Sequence, residues 1–148
     1  MVEGDWTNNV GPGAFNEGNG RVIFSGTNIQ YCSDEVFNIL EINNPPGALY
    51  ISGSAVVCAA YDWTAGAIDV FNGGIFTAND LIDNGIYGKY VLNENSTINL
   101  KNYDGYVDLN GELYISGGTM NVYGGTTPSY WPYVRCRDKY EWRGARFS

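Results

Sequence analysis

The chain repeats itself, and a repeating chain has few folds open to it. Leu49-Tyr50-Ile51-Ser52-Gly53 returns intact as Leu113-Tyr114-Ile115-Ser116-Gly117, 64 residues later. Asp5-Trp6-Thr7 returns as Asp62-Trp63-Thr64, and Gly66-Ala67-Ile68-Asp69-Val70-Phe71 is echoed by Gly118-Thr119-Met120-Asn121-Val122-Tyr123. A globular core gives each strand its own environment and has no use for a returning pentapeptide. A solenoid does, because every coil presents equivalent inward positions. The 64-residue interval holds three coils of roughly 21 residues, and the other offsets require connecting loops of unequal length.

The local pattern is that of short strands. From Tyr106 to Gly117, the residues Val107, Leu109, Leu113 and Ile115 alternate with Asp108, Asn110, Glu112 and Tyr114. A period of two puts one set inside and the other in water. The same alternation marks Val22/Phe24, Leu40/Ile42, Leu49/Ile51, Ile68/Val70, Ile98/Leu100 and Met120/Val122. Leu49, Ile51, Ile68, Val70, Ile98, Leu100, Val107, Leu109, Leu113, Ile115, Met120 and Val122 are expected in the core, with Asp69, Asn99, Asp108, Asn110 and Glu112 exposed. Turn clusters such as Asn43-Asn44-Pro45-Pro46-Gly47 and Asn72-Gly73-Gly74 separate the strands, and no helical periodicity occurs. The fold class is all-β, a parallel β-helix, with a β-sandwich as the alternative. Residues 1–133 form the solenoid, which opens in mid-repeat and is expected to be incomplete at both ends. Uncovered ends expose strand edges and apolar surface, so the chain should self-associate through them unless a loop or tail caps each one.

Charge narrows the partners. The net charge is −8 and there is no histidine. Such a chain has no electrostatic footprint for a nucleic-acid backbone or an anionic membrane, and no run is apolar enough to span a bilayer. Residues 1–134 carry 3 basic and 14 acidic side chains, whereas residues 135–148 carry 5 basic and 2 acidic. That final segment, Val134 to Ser148, breaks the Gly/Asn rhythm and has two readings. One is a basic tail or cap. The other is translation out of frame: codons for Tyr140 to Gly144, read one base later, can encode Met-Ser-Gly-Gly. Cys32, Cys58 and Cys136 show no metal-binding spacing; they read as isolated small hydrophobes, with a Cys32–Cys58 link between coils as the alternative.

The run Gly4-Asp5-Trp6-Thr7, Gly20-Arg21-Val22-Ile23-Phe24-Ser25-Gly26, Gln30 and Phe37-Asn38-Ile39-Leu40-Glu41-Ile42-Asn43 resembles the repeats of large secreted surface proteins of Bacteroidetes. Gly111 to Gly118 and Met120 to Gly125 are similar to the same class. The resemblance spans about residues 4–133 through short motifs. It implies a right-handed β-helix exported to the cell surface or beyond, often by the type IX route. Cys32 departs from the small polar residue usual at its place, and no sorting domain is expected within residues 1–148.

Catalytic signals are thin. Hydrolysis of a glycoside needs two carboxylates facing one site, one of them held protonated. Asp104/Asp108 and Asp80/Asp83 are the pairs on offer, and both read as surface groups. A lyase needs clustered cations, and Arg21, Lys89 and Lys101 are scattered. No metal or cofactor motif occurs, and the eight threonines suggest no regular ladder. The chain is therefore expected to be non-catalytic, without cofactor or metal. Aromatic rings are the features with binding potential. Tyr50 and Tyr114 hold equivalent outward places in the repeated pentapeptide, Tyr123 and Phe71 point out of their strands, and Tyr130, Trp131 and Tyr133 cluster in a Pro-flanked loop. Stacked on successive coils, outward rings would make a flat strip for sugars or another protein surface; equally, they can stack on one another and stabilise the sheet. The expected role is a structural or adhesive segment of a secreted surface protein, the alternatives being a carbohydrate-binding module or part of a polysaccharide lyase or hydrolase.

Overall fold

Alternating strands that bury one face each can close on themselves as a coil, and this chain does so. The computed structural model describes residues 1–82, 89–93, 95–103, 113–115 and 118–124. Among them are nine strands and no helix: β1 (Arg21–Phe24), β2 (Gln30–Tyr31), β3 (Glu35–Ser52), β4 (Ala55–Phe71), β5 (Ile75–Ala78), β6 (Lys89–Leu92), β7 (Thr97–Tyr103), β8 (Leu113–Ile115) and β9 (Thr119–Gly124). Every strand pairing is parallel. β3 carries β1 and β2 on one edge and β4 on the other; β4 passes the ladder to β5 and β6, then β5 to β7 to β9 and β6 to β8. The result is a parallel β-helix of about 4 turns, not a sandwich.

The main recurrence is a coil count. Leu49 lies beside Ile68, Ile68 beside Tyr90 and Tyr90 beside Leu113, so the pentapeptide returns to register after three coils. The other two echoes are not coil equivalents. Trp6 bridges Cys32, at the head of the Ile51–Val70–Leu92 side, whereas Trp63 follows Ile42. Ile68 lies in the Leu49 column and Met120 in the Val56–Phe76–Ile98 column. A Gly followed by an alternating strand suits every side of a coil, so similarity alone does not say which side.

Inward positions stack like on like. Val56, Phe76, Ile98 and Met120 form one column; Phe37, Cys58, Ala78 and Leu100 form the next. Leu49, Ile51, Ile68, Val70, Ile98, Leu100 and Met120 are all buried as expected. The side chains of Val107, Leu109, Leu113, Ile115, Val122, Asp108, Asn110 and Glu112 lie outside the described residues. Parallel sheets are usually covered on both faces and read as unbroken apolar runs. A coil covers only the inner face, which is why this one reads as alternation. Tyr90 takes an inward place in the leucine column and packs its ring against Tyr61 (6.4 Å, 57°), and burial pushes both phenols' pKa up.

Two expectations about the outside need correction. Asp69 and Asn99 are half-buried rather than exposed. Stacked coils bring like side chains close enough to bond and shade one another: Asn121 Nδ2 donates to Asn99 Oδ1 (2.8 Å), and Asn99 Nδ2 to Thr77 Oγ1 (3.1 Å). The threonines also have partial order, because Thr97 sits beside Thr119 in register.

Corners are closed by buried amides. Asn44 Nδ2 donates to Gln30 Oε1 (2.8 Å) and Asn28 O (3.0 Å), while Gln30 Nε2 donates to Gly4 O (2.7 Å) and Val2 O (3.0 Å). These bonds satisfy carbonyls that leave the ladders at the bend. Gly66 turns the next corner at φ 100°, where a Cβ would lie 2.6 Å from Asn44 O, so no other residue fits without strain.

Above the first coil, Trp6 and Phe15 pack edge-to-face (4.9 Å), and Trp6 packs on Phe37 (5.3 Å). Buried Glu35 ties this layer down, its Oε2 accepting from Trp6 Nε1 (3.1 Å) and Asn8 Nδ2 (3.0 Å). Phe37 is thereby covered by the chain's own residues, which removes it from the surface expected to drive self-association. Residues 134–148 and their two readings lie outside the described residues.

Candidate functional site

The outer face formed by β2, the second half of β3, the second half of β4, β6 and β8 carries a small aromatic cluster. Tyr31, Tyr50, Asp69, Val91 and Tyr114 share one register column. Tyr50 and Tyr114 are thus equivalent as expected, but Asp69 and Val91 come between them. A continuous tyrosine strip from one to the other is not formed, because the repeat is three coils long and the two intervening coils carry other residues. The strip that does form is local: Tyr31 meets Tyr50 (5.5 Å, 78°), and Tyr50 meets Phe71 diagonally (5.3 Å, 79°). Tyr123 lies in β9, in the stack that continues β5 and β7, so it does not join Tyr50. Tyr130, Trp131 and Tyr133 lie outside the described residues.

Beside this strip runs an open groove of about 380 Å³. Its floor is small, because Gly47, Ala48, Gly66 and Ala67 bring two coils round a corner with almost no side chain between them. Tyr50 and Asp69 line it, and Ile29, Pro46 and Val91 complete it. Ile29 is 47% exposed. Asp69 is held by Asn93, whose Nδ2 donates to Oδ1 (3.0 Å). Burial raises the Asp69 pKa above its ordinary value, and the Asn93 bond opposes that only in part. Sequence reading missed Tyr31, Asp69 and the groove. The only signal was the Gly-Ala pair at positions 47–48 and again at 66–67.

Other clusters do structural work. Arg21 Nη1 bridges Glu41 (2.7 Å) and Asp62 (2.8 Å), two carboxylates side by side on adjacent coils. The bond to Glu41, then the Asp62 charge, holds the guanidinium further toward its charged form. Asp80 accepts from the Leu81 backbone N–H (3.0 Å); Asp83, Asp104 and Asp108 lie outside the described residues. Among the described residues no three His, Cys, Asp or Glu side chains gather as a metal site. Cys32 and Cys58 are free and buried, on different columns, so the link between them is not formed. Burial, then Glu35 and Asp34, pushes the Cys32 thiol up to about 12, and burial pushes Cys58 up as well, so neither is an activated nucleophile.

Fold and surface together define a class, the parallel β-solenoids, with an open groove beside a small aromatic cluster on one outer face. The chain matches no protein-family model, no curated protein and no solved structure.

Proposed function

We propose that this chain is a non-catalytic structural or adhesive segment of a secreted cell-surface protein, a rigid coil that holds out a binding face to glycans or to other surface proteins. The observation that carries the reading is what the coil does with four of the described carboxylates, Asp34, Glu35, Glu41 and Asp62. Glycoside hydrolysis needs one protonated and one free carboxylate across a substrate cleft. Here Glu41 and Asp62 share Arg21, Glu35 holds Trp6 and Asn8 in the interior, and Asp34 accepts from the Ala55 backbone N–H (2.5 Å). Each of these closes one coil upon another. The acidic composition and the resemblance of residues 4–133 to exported repeats support the surface location.

Two measurements test it. Protease added to intact cells of the source organism should cleave the protein, and the purified chain should release neither reducing ends nor unsaturated products from a polysaccharide panel. Protection inside intact cells would refute the location. Turnover that disappears in Glu41→Gln or Asp62→Asn would refute the non-catalytic role.

A further inference from the structure

We propose that the groove lined by Tyr50 and Asp69 is a binding cleft for an uncharged pyranose chain. The inference rests on the adhesive reading and names its ligand. At about 380 Å³ the groove lies near the lower end of the ~300–1,000 Å³ usual for ligand clefts. It is open and lies on a sheet surface, which suits a segment of a chain passing over it better than an enclosed monosaccharide. A pyranose has an apolar C–H face and a rim of hydroxyls. Tyr50 offers a ring wall to the first and Asp69 an acceptor to the second, while the floor of Ala48, Ala67 and Gly66 lets the sugar approach the sheet.

Both recognition groups are held in place before any ligand arrives. Tyr50 packs at near right angles to Tyr31 and Phe71, and Asp69 is anchored by Asn93. Little side-chain freedom then remains to be lost on binding. Charge decides among glycans: a carboxylate in the groove, on a chain of net charge −8, repels uronates and sulfated sugars. An uncharged chain meets no such penalty.

The test is a calorimetric titration of the 148-residue chain with three hexamers, of β-1,4-linked glucose, N-acetylglucosamine and galacturonate. At least one uncharged hexamer should bind saturably and the galacturonate hexamer should not. Asp69→Asn keeps size and shape but loses the charge, and should weaken binding about tenfold. Ala48→Leu fills the floor and should weaken it more, with circular dichroism confirming that both variants keep their β structure. Saturable binding of neither uncharged hexamer overturns the proposal. So does tighter binding of the galacturonate hexamer, or equal affinity in both variants and the parent. None of these results touches the adhesive reading, which fails on location or turnover instead.

Discussion

Replacing Arg21 by Met tests the coil register through its energy. The substitution keeps an apolar stem of similar reach and removes the guanidinium that joins three coils. Arg21 in β1 bonds Glu41 in β3 and Asp62 in β4 through the same Nη1, with side chains 40%, 10% and 15% exposed. A fully exposed ion pair contributes only about 0.2–1 kcal/mol, whereas a hydrogen bond to a charged group contributes about 1.5–3. Here the carboxylates are largely covered and the arginine is not, so two such bonds together come to about 1.5–3 kcal/mol after solvent screening. For a chain of this size that lowers the melting temperature by roughly 3–12 °C. The loss should have a second component, repulsion between the two carboxylates left side by side. Adding Glu41→Gln to Arg21→Met should therefore recover part of the stability, and raising salt should narrow the gap between Arg21→Met and the parent. Thermal melts of parent, single and double variants decide it. An Arg21→Met loss below about 0.5 kcal/mol, or a Glu41→Gln that worsens it, would refute the reasoning.

Ile51, fully buried, should cost about 2–5 kcal/mol when cut to Ala, against less than about 0.5 for Ala59→Ser on the exposed outer face, read as urea midpoints. In a Cys136→Ser background, Cys32 and Cys58 should resist a thiol reagent at pH 8 and both react once urea unfolds the coil; fast native labelling of Cys32 would contradict its thiol pKa of about 12. Burial raises the Asp69 pKa on folding, so its ionised form is disfavoured in the fold at neutral pH and the penalty fades as pH falls through the raised value. Asp69→Asn should accordingly match or exceed the parent's stability at neutral pH, with any advantage gone near pH 3; a clear loss at neutral pH would show the charge to be stabilising.

What the sequence determined by itself is the part of the fold that depends on chemistry repeated along the chain. Alternation in stretches such as Leu49 to Ile51 and Ile68 to Val70 assigned inside and outside, because a strand has a period of two whatever it pairs with. The returning pentapeptide pointed to coils, because only stacked environments ask for the same residues again. What the tertiary structure alone decided is which residues from different coils meet. Glu41 and Asp62 are far apart in sequence and side by side in space; so are Tyr31, Tyr50 and Phe71, and so are the two Gly-Ala corners that floor the groove. The 64-residue recurrence gave the coil count, but loops of unequal length hid which residues fill the two coils between. That is why Tyr50 and Tyr114 were read as one strip although Asp69 and Val91 separate them, and why a groove walled by Tyr50 and Asp69 left no mark in either stretch taken alone.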